Sequence, residues 1–226
     1  YPTRLITNGR VISKKLTSYD FYVRDICGPG DTSLWAGPYN FVTGFAGPQP
    51  LSCTTGNASV IFSEEFDATN GWTGDLGSGG GQWEIPGAPT SSNTGPDNEH
   101  SGPAGSFANY EASGAGTTTG NLISPAIDLS GGADDAELSF WMHAYGVNMG
   151  TLDVGIGTSA TGPFTSVFSW TGQYQTSGSD PWVNIGVDLT PYLGQTIYIQ
   201  FSHTHSGTSF EGDMSLDLVE VSTCVS

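Results

Sequence analysis

Leu138-Ser139-Phe140-Trp141-Met142-His143-Ala144-Tyr145-Gly146 is followed after three residues by Gly150-Thr151-Leu152-Asp153-Val154. In Leu138–His143 the residues alternate at period two, the pattern of a strand with one face in a core. Thr151–Ile156 is a second strand candidate. Outward from this pair, Val60–Phe66, Phe164–Trp170, Trp182–Val187, Thr196–Phe201 and Met214–Val221 read the same way. Loops rich in Gly, Ser, Thr and Asn separate them. No apolar pattern of helical period runs for about ten residues, and no repeat of about 20–50 residues is visible. Short antiparallel strands filling residues 58–226 predict an all-β fold, a two-sheet antiparallel jelly-roll sandwich.

Upstream, Tyr19, Phe21 and Val23 alternate with Asp20, Tyr22 and Arg24. Gly28-Pro29-Gly30-Asp31 marks a turn, and Tyr39–Thr43 follows as a second strand. Gly47-Pro48-Gln49-Pro50 reads as a linker. The expected division is residues 1–45, a linker at 46–57 and a main domain at 58–226.

The charge is lopsided. Five Lys and Arg stand against 22 Asp and Glu, a formal net charge of -17. All five basic residues (Arg4, Arg10, Lys14, Lys15, Arg24) lie in the first 24 positions. Such a chain offers no footprint for a nucleic-acid backbone and is repelled by an anionic bilayer. With 36% hydrophobic and 12% aromatic residues it has material for a packed core. No apolar run of about 18 residues predicts a membrane span. No basic–apolar–small leader opens the chain, so it is read as a mature form or a fragment.

Several blocks carry a family resemblance. They are Phe66-Asp67-Ala68-Thr69-Asn70-Gly71-Trp72, Gln82-Trp83-Glu84, Gly95-Pro96-Asp97-Asn98-Glu99-His100-Ser101-Gly102, Phe107–Ser113, Asn121–Pro125, Leu138–Gly146 and Met214–Val221. In this order they resemble a MAM domain, the meprin-type jelly roll of cell-surface and secreted proteins. Ser63–Asp67 with Leu122–Leu129 is also similar to the adhesin modules of bacterial gingipain-type proteases. Animal MAM domains carry cysteines near positions equivalent to Asn70 and Glu137. This chain has none there, so it resembles the bacterial branch. Residues 10–44 resemble the last strands of a fibronectin type III domain, with Tyr19 at the tyrosine corner.

Three cysteines leave two pairings open. Cys53–Cys224 would tie the ends of the jelly roll, and Cys27–Cys53 would clamp the two pieces; the first is the expectation. No Cys-x-x-Cys occurs, which excludes a zinc ribbon.

The acidic residues supply the candidate metal site. Glu64, Glu65 and Asp67 open the main domain, Asp97 and Glu99 lie in the Gly-Pro loop, and Asp217 lies in the last strand. In a continuous strand Glu65 and Asp67 project together, and pairing of first and last strands would bring Asp217 near. Carboxylates without basic neighbours suit a hard cation with oxygen ligands. The expectation is a structural calcium at Glu65, Asp67, Asp97, Glu99 and Asp217, which the resemblance supports. Among the histidines, His143 reads as a hydrogen-bonded sandwich residue and His100 as an organiser of its loop. His203 and His205 form a weak transition-metal pair.

Catalytic signatures are absent, with no His-Glu-x-x-His, Gly-x-Ser-x-Gly or Walker pattern. Glu111, Asp153 and Glu211 form no defined acid pair. Trp170, Tyr174 and Trp182 flank a Gly/Ser/Gln-rich loop and are the candidate ligand platform, or else core residues. The expected function is a non-catalytic adhesion or substrate-targeting module of a larger secreted or surface protein, binding a glycan or a surface protein. The alternatives are a carbohydrate-binding module of a polysaccharide-degrading enzyme and an accessory domain of a secreted metallopeptidase. A glycoside hydrolase or lyase in its own right is less favoured.

Overall fold

The computed structural model describes residues 18–225, apart from 25, 29–30, 43–44, 46, 55, 89–90, 104 and 132–133. Strand β1 (Ser18–Val23), a ribbon of β2 (Ile26–Gly28) and β3 (Asp31–Thr32), and β4 (Ala36–Val42) come first; β1 pairs antiparallel with β4. Much of the fibronectin-type reading, including residues 1–17 and the Tyr19 side chain, lies outside the described residues.

The main unit begins with β5 (Asn57–Glu64), β6 (Thr73–Gly74), β7 (Trp83–Gly87), β8 (Phe107–Tyr110), β9 (Thr119–Ile123) and β10 (Ile127–Asp128). It continues with β11 (Ala136–Ala144), β12 (Thr151–Gly157), β13 (Thr165–Thr171), β14 (Val183–Asp188), β15 (Thr196–Thr204) and β16 (Met214–Val225). Among the described residues the only helical turn is a short 3-10 turn at Thr190–Tyr192. One sheet runs β14-β11-β16-β8-β7, with β5 also on β16. The other runs β13-β12-β15-β9-β6, with β10 on β15. Every pairing of the named strands is antiparallel. The predicted two-sheet jelly-roll sandwich is present.

The core explains the alternation. Leu138, Phe140 and Met142 of β11 share an apolar core with Leu152, Val154 and Ile156 of β12 and Ile197, Ile199 and Phe201 of β15, all at 0–1% exposure. Phe140 meets Phe201 and Phe168 edge-on, at ring separations of 5.2 and 5.7 Å.

Two departures matter for the site. First, β5 ends at Glu64, not Phe66. The buried Glu64 carboxylate accepts from Phe66 N (2.7 Å), Asn70 Nδ2 (3.0 Å) and Trp72 Nε1 (3.2 Å), and Phe66 takes φ 59°. The chain therefore leaves the strand before Glu65. Second, residues 45–54 are not a free linker. Phe45 packs on Trp170 (5.0 Å), Tyr174 (5.1 Å) and Phe168 (5.6 Å). Gln49 N donates to Glu137 Oε1 (2.6 Å), Ser52 N to Asp135 Oδ2 (2.6 Å) and Thr54 N to Asp134 Oδ2 (3.0 Å). Gly186 lets this strap pass, since a Cβ there would lie 2.7 Å from Pro48 Cα. The strap ends in the Cys53–Cys224 disulfide, Cα–Cα 5.5 Å, the favoured of the two pairings.

Candidate functional site

The outer face of the β11/β16 sheet is covered by two loops, 91–106 and 172–182. Their placement begins in β16. This strand pairs with β8 through Leu216↔Ala108 and with β5 from Val219↔Glu64, so Asp217 and Leu218 fall between the two partners. The β11 ladder is irregular at the same point, jumping from Ser139↔Glu220 to Trp141↔Asp217. Leu218 takes φ 36°, unusual for a branched residue. A bulge of this kind re-aims a side chain, and here the re-aimed group is the Asp217 carboxylate.

Asp217 anchors the Gly-Pro loop. Its Oδ2 accepts from His100 N (3.1 Å) and lies 2.9 Å from His100 Nδ1, while Oδ1 accepts from Leu218 N (2.8 Å). Glu99 Oε2 lies 3.3 Å from the same Nδ1. Two carboxylates flanking Nδ1 assign its hydrogen to that nitrogen. Ser101 donates to Glu99 from both N (3.0 Å) and Oγ (2.7 Å). The His100 ring stacks on Trp141 at 5.0 Å and 25°. Burial pushes the Asp217 carboxyl up, opposed by the bonds from His100 and Leu218. Burial also pushes Glu99 up, but the Ser101 bonds and the His100 charge outweigh it, and its net direction is down.

Among the described residues, Glu99, His100 and Asp217 are the one group of three whose ligand atoms converge, all within 4.8 Å. Glu65, Asp67 and Asp97 of the expected set are exposed and stand outside it. The period-two argument for Glu65 and Asp67 is corrected: both follow the end of β5, where strand alternation no longer applies. Asp97 is held by its backbone, N to Gly178 O (2.9 Å). His100 was read from the sequence only as a loop organiser.

The second loop is rigid for local reasons. Asp180 accepts from Thr176 N and Oγ1 (2.7 and 2.8 Å) and from Ser177 N and Oγ (3.0 and 2.9 Å). These bonds pull its carboxyl down to about 2. Gln175 ties the loop to β11, accepting from Ala144 N (2.7 Å) and donating to Met142 O (3.3 Å). Trp182 Nε1 donates to Asn98 O (3.0 Å), and its ring meets Phe107 and His143 at 5.6 and 5.4 Å. Gly178 marks the close approach of the loops, since a Cβ there would lie 2.5 Å from Asp97 Oδ1.

Between the loops opens a cleft of about 450 Å³, with Glu99, His100, Trp141, Asp180 and Trp182 in its lining. Of the three aromatics expected as a platform, Trp182 alone lines it. Trp170 and Tyr174 pack around Phe45 instead, and Trp170 Nε1 donates to Gly172 O (2.6 Å). Trp141 and Asp180 escaped the sequence reading. Trp141 carried a usable signal, an aromatic at an outward position of β11.

The remaining histidines are interior. His143 is fully buried; its ring nitrogens have no partner of good hydrogen-bond geometry, and their polar contact is with the Asp180 backbone. Burial pushes it down to about 4, against the opposing pull of Asp180 and Asp97. His203 is buried against Tyr110 at 4.5 Å and pushed by burial down to about 3. His205 Nε2 lies 2.7 Å from Ser209 O. Neither joins a group of three metal-ready side chains among the described residues.

Comparison with known proteins adds the family. The model of the MAM domain, meprin/A5/mu, matches residues 64–225. Neuropilin-1a of Danio rerio is 36% identical over 104 residues, which cover 45% of this chain and 11% of that protein. The match therefore spans about a tenth of the relative. Among solved structures, the K1 adhesin domain of Lys-gingipain from Porphyromonas gingivalis W83 is 24% identical, covering 74% of this chain and 98% of that one, at TM-score 0.43. The K2 adhesin domain of Lys-gingipain is 20% identical over 73% and 98%, at TM-score 0.46. No helix among the described residues is long and apolar enough to cross a membrane.

Proposed function

The chain belongs to the MAM domain family, and on that basis we propose that it is a non-catalytic, extracellular adhesion or substrate-targeting module of a larger secreted or surface protein. The observation that carries the reading is the cleft between the two loops. Trp141, with His100 stacked on one face, and Trp182 line it with aromatic surface, and the carboxylates of Glu99 and Asp180 line it with acceptor oxygens. That combination suits a neutral glycan, whose ring faces stack on aromatics and whose hydroxyls donate to carboxylate oxygens. The net charge of -17 disfavours polyanions.

Acid chemistry is not supported in the cleft. Glycoside hydrolysis needs a carboxyl with a raised pKa facing the substrate. Glu99 and Asp180 are both pulled down. Asp217 is pushed up, but it is 1% exposed and both of its oxygens are engaged.

The same reading places a structural calcium at Glu99 and Asp217. Two convergent carboxylates, one of them buried, beside the His100 ring fit a cation in charge. His100 contributes a nitrogen, so the remaining oxygens of a calcium shell would come from loop carbonyls and water. Bound there, the ion would hold loop 95–102 against β16. Other domains of the parent chain would supply any catalysis, in a polysaccharide-degrading enzyme or a secreted metallopeptidase. The test is a glycan array with folded wild type and Trp182→Ala. Selective signals lost in the variant support the reading; silence from folded protein points to a surface protein as the ligand.

A further inference from the structure

A second group of carboxylates lies on the same outer face, at the opposite edge of the sheet from the Trp182 cleft. Trp83 of β7, Tyr110 of β8 and Met214 of β16 are paired neighbours and all face the core at 0% exposure. Alternation sends Glu84 of β7 to the other face. Just beyond the strand ends, Glu111 N still donates to Gln82 O (3.0 Å) and Ala112 N to the Asp213 carboxylate, which brings Glu111 and Asp213 side by side. Asp213 is 0% exposed and Glu111 5%.

Asp213 is the anomaly. Its backbone N donates to Thr94 Oγ1 (2.7 Å), and its Oδ1 accepts from Ala112 N (2.9 Å). Its Oδ2 is buried and has no partner. A buried, unpartnered carboxylate oxygen carries a desolvation cost that native structures ordinarily offset. Among the described residues no basic side chain does so. Arg24, the one Lys or Arg among the described residues, lies over Trp35 at 4.7 Å. Burial, with Glu111 and Glu84 adding repulsion, pushes the Asp213 carboxyl up to about 7, and burial with Glu111 pushes Glu84 up as well.

We propose that Asp213 Oδ2 is a ligand of a hard cation seated between this sheet and the 91–95 loop. Glu111 and Glu84 do not converge on it as a three-carboxylate cage but add negative charge beside it, and backbone carbonyls and water would complete the shell. The donors are oxygens alone, which selects a cation of the calcium or sodium class over softer metals. The site is separate from the Glu99–Asp217 group. Asp213, just before β16, and Asp217 within it stand four positions apart, about 13 Å at ~3.3 Å per extended residue.

The experiment is calorimetric titration of chelator-stripped full chain with calcium in a choline buffer, with a sodium arm beside it. Wild type, Asp213→Asn, Glu111→Gln and Asp217→Asn are compared, each checked for native circular dichroism. Asp217→Asn is expected to keep one equivalent of cation that Asp213→Asn loses, and Glu111→Gln to bind it at least tenfold more weakly. Response to calcium alone or to sodium alone identifies the ion. The proposal is overturned if Asp213→Asn and Asp217→Asn bind with equal stoichiometry and affinity. It is equally overturned if no variant retains a cation dependent on Asp213, which leaves a proton or water at Oδ2. Neither outcome bears on glycan binding, which the array reads separately.

Discussion

Removing the Cys53–Cys224 bond is the perturbation whose size follows most directly from the fold. The bond spans 171 residues and encloses all of the jelly roll. In the chain-entropy account, closing a loop of that length in the unfolded state stabilises the native state by roughly 5 kcal/mol at 25 °C. Non-covalent anchors remain on both sides of the bond. Cys224 lies in β16, which is held by β11 and β5, and the strap keeps its hydrogen bonds to Glu137, Asp135 and Asp134. The native fold should therefore survive while its stability falls. For a chain of this size the loss corresponds to a drop in Tm of about 10–20 °C. The assay is urea unfolding of the Cys53→Ala/Cys224→Ala variant against wild type, with m unchanged and a lower midpoint. A loss under about 1 kcal/mol refutes the entropic reasoning. A wild-type thiol map showing Cys224 free refutes the pairing itself. A Cys27–Cys53 bond would close a short loop outside residues 57–225 and leave the jelly roll untouched on reduction.

Other consequences follow from particular groups. His143 and His203 are held neutral by burial, with folded values near 4 and 3 against an ordinary 6.5. The unfolded chain binds their protons first, so stability present above pH 6.5 is lost as the pH falls toward 4 and 3. At ~1.4 kcal/mol per pH unit this reaches about 3 kcal/mol for His143 and 5 for His203; a His203→Gln variant with an unchanged acid-unfolding profile would contradict it. Asp213 acts in the opposite sense in cation-free buffer, costing stability as the pH rises from 3.8 toward 7. Asp213→Asn should therefore lose stability more steeply on acidification than wild type, measured by urea midpoints at pH 7, 6 and 5. Phe45→Ala should destabilise by about 2 kcal/mol, less than a fully buried Phe, because half-buried Phe45 fills the space among Phe168, Trp170 and Tyr174. Quenching of Trp170 fluorescence unchanged by that substitution would argue against the packing. EDTA should lower the Tm of wild type, with a smaller drop in Asp217→Asn; equal drops would remove the cation from the Glu99–Asp217 group.

The strands were legible because period-two alternation is local. Leu138–His143 needs only its own residues to declare one face apolar, and β12, β15 and β16 declare themselves the same way. The ends of strands were less legible. Nothing in Glu64-Glu65-Phe66 announces that Glu64 will accept three hydrogen bonds and bend the chain at Phe66, so Glu65 and Asp67 were given a shared face they do not have. Glu99 and Asp217 were named individually, but their meeting depends on the irregularity at Leu218 and on a loop more than a hundred positions away. Trp170 and Tyr174 had the composition of a binding platform. Their neighbour Phe45 stands at the edge of the segment read as a linker, and a contact between such distant positions leaves no local pattern. Asp213 gave no sign at all, because a carboxylate in a list of 22 acids becomes unusual only once its surroundings are closed off.

The central claim is that the cleft between loops 95–102 and 172–182 binds a ligand without transforming it. The most direct measurement is glycan-array binding of the folded chain, in calcium and again in EDTA, with Trp182→Ala in parallel. Selective binding of neutral glycans, abolished in Trp182→Ala and weakened in EDTA, is the predicted result. Undiminished binding by a folded Trp182→Ala, or cleavage of the bound glycan, would contradict it.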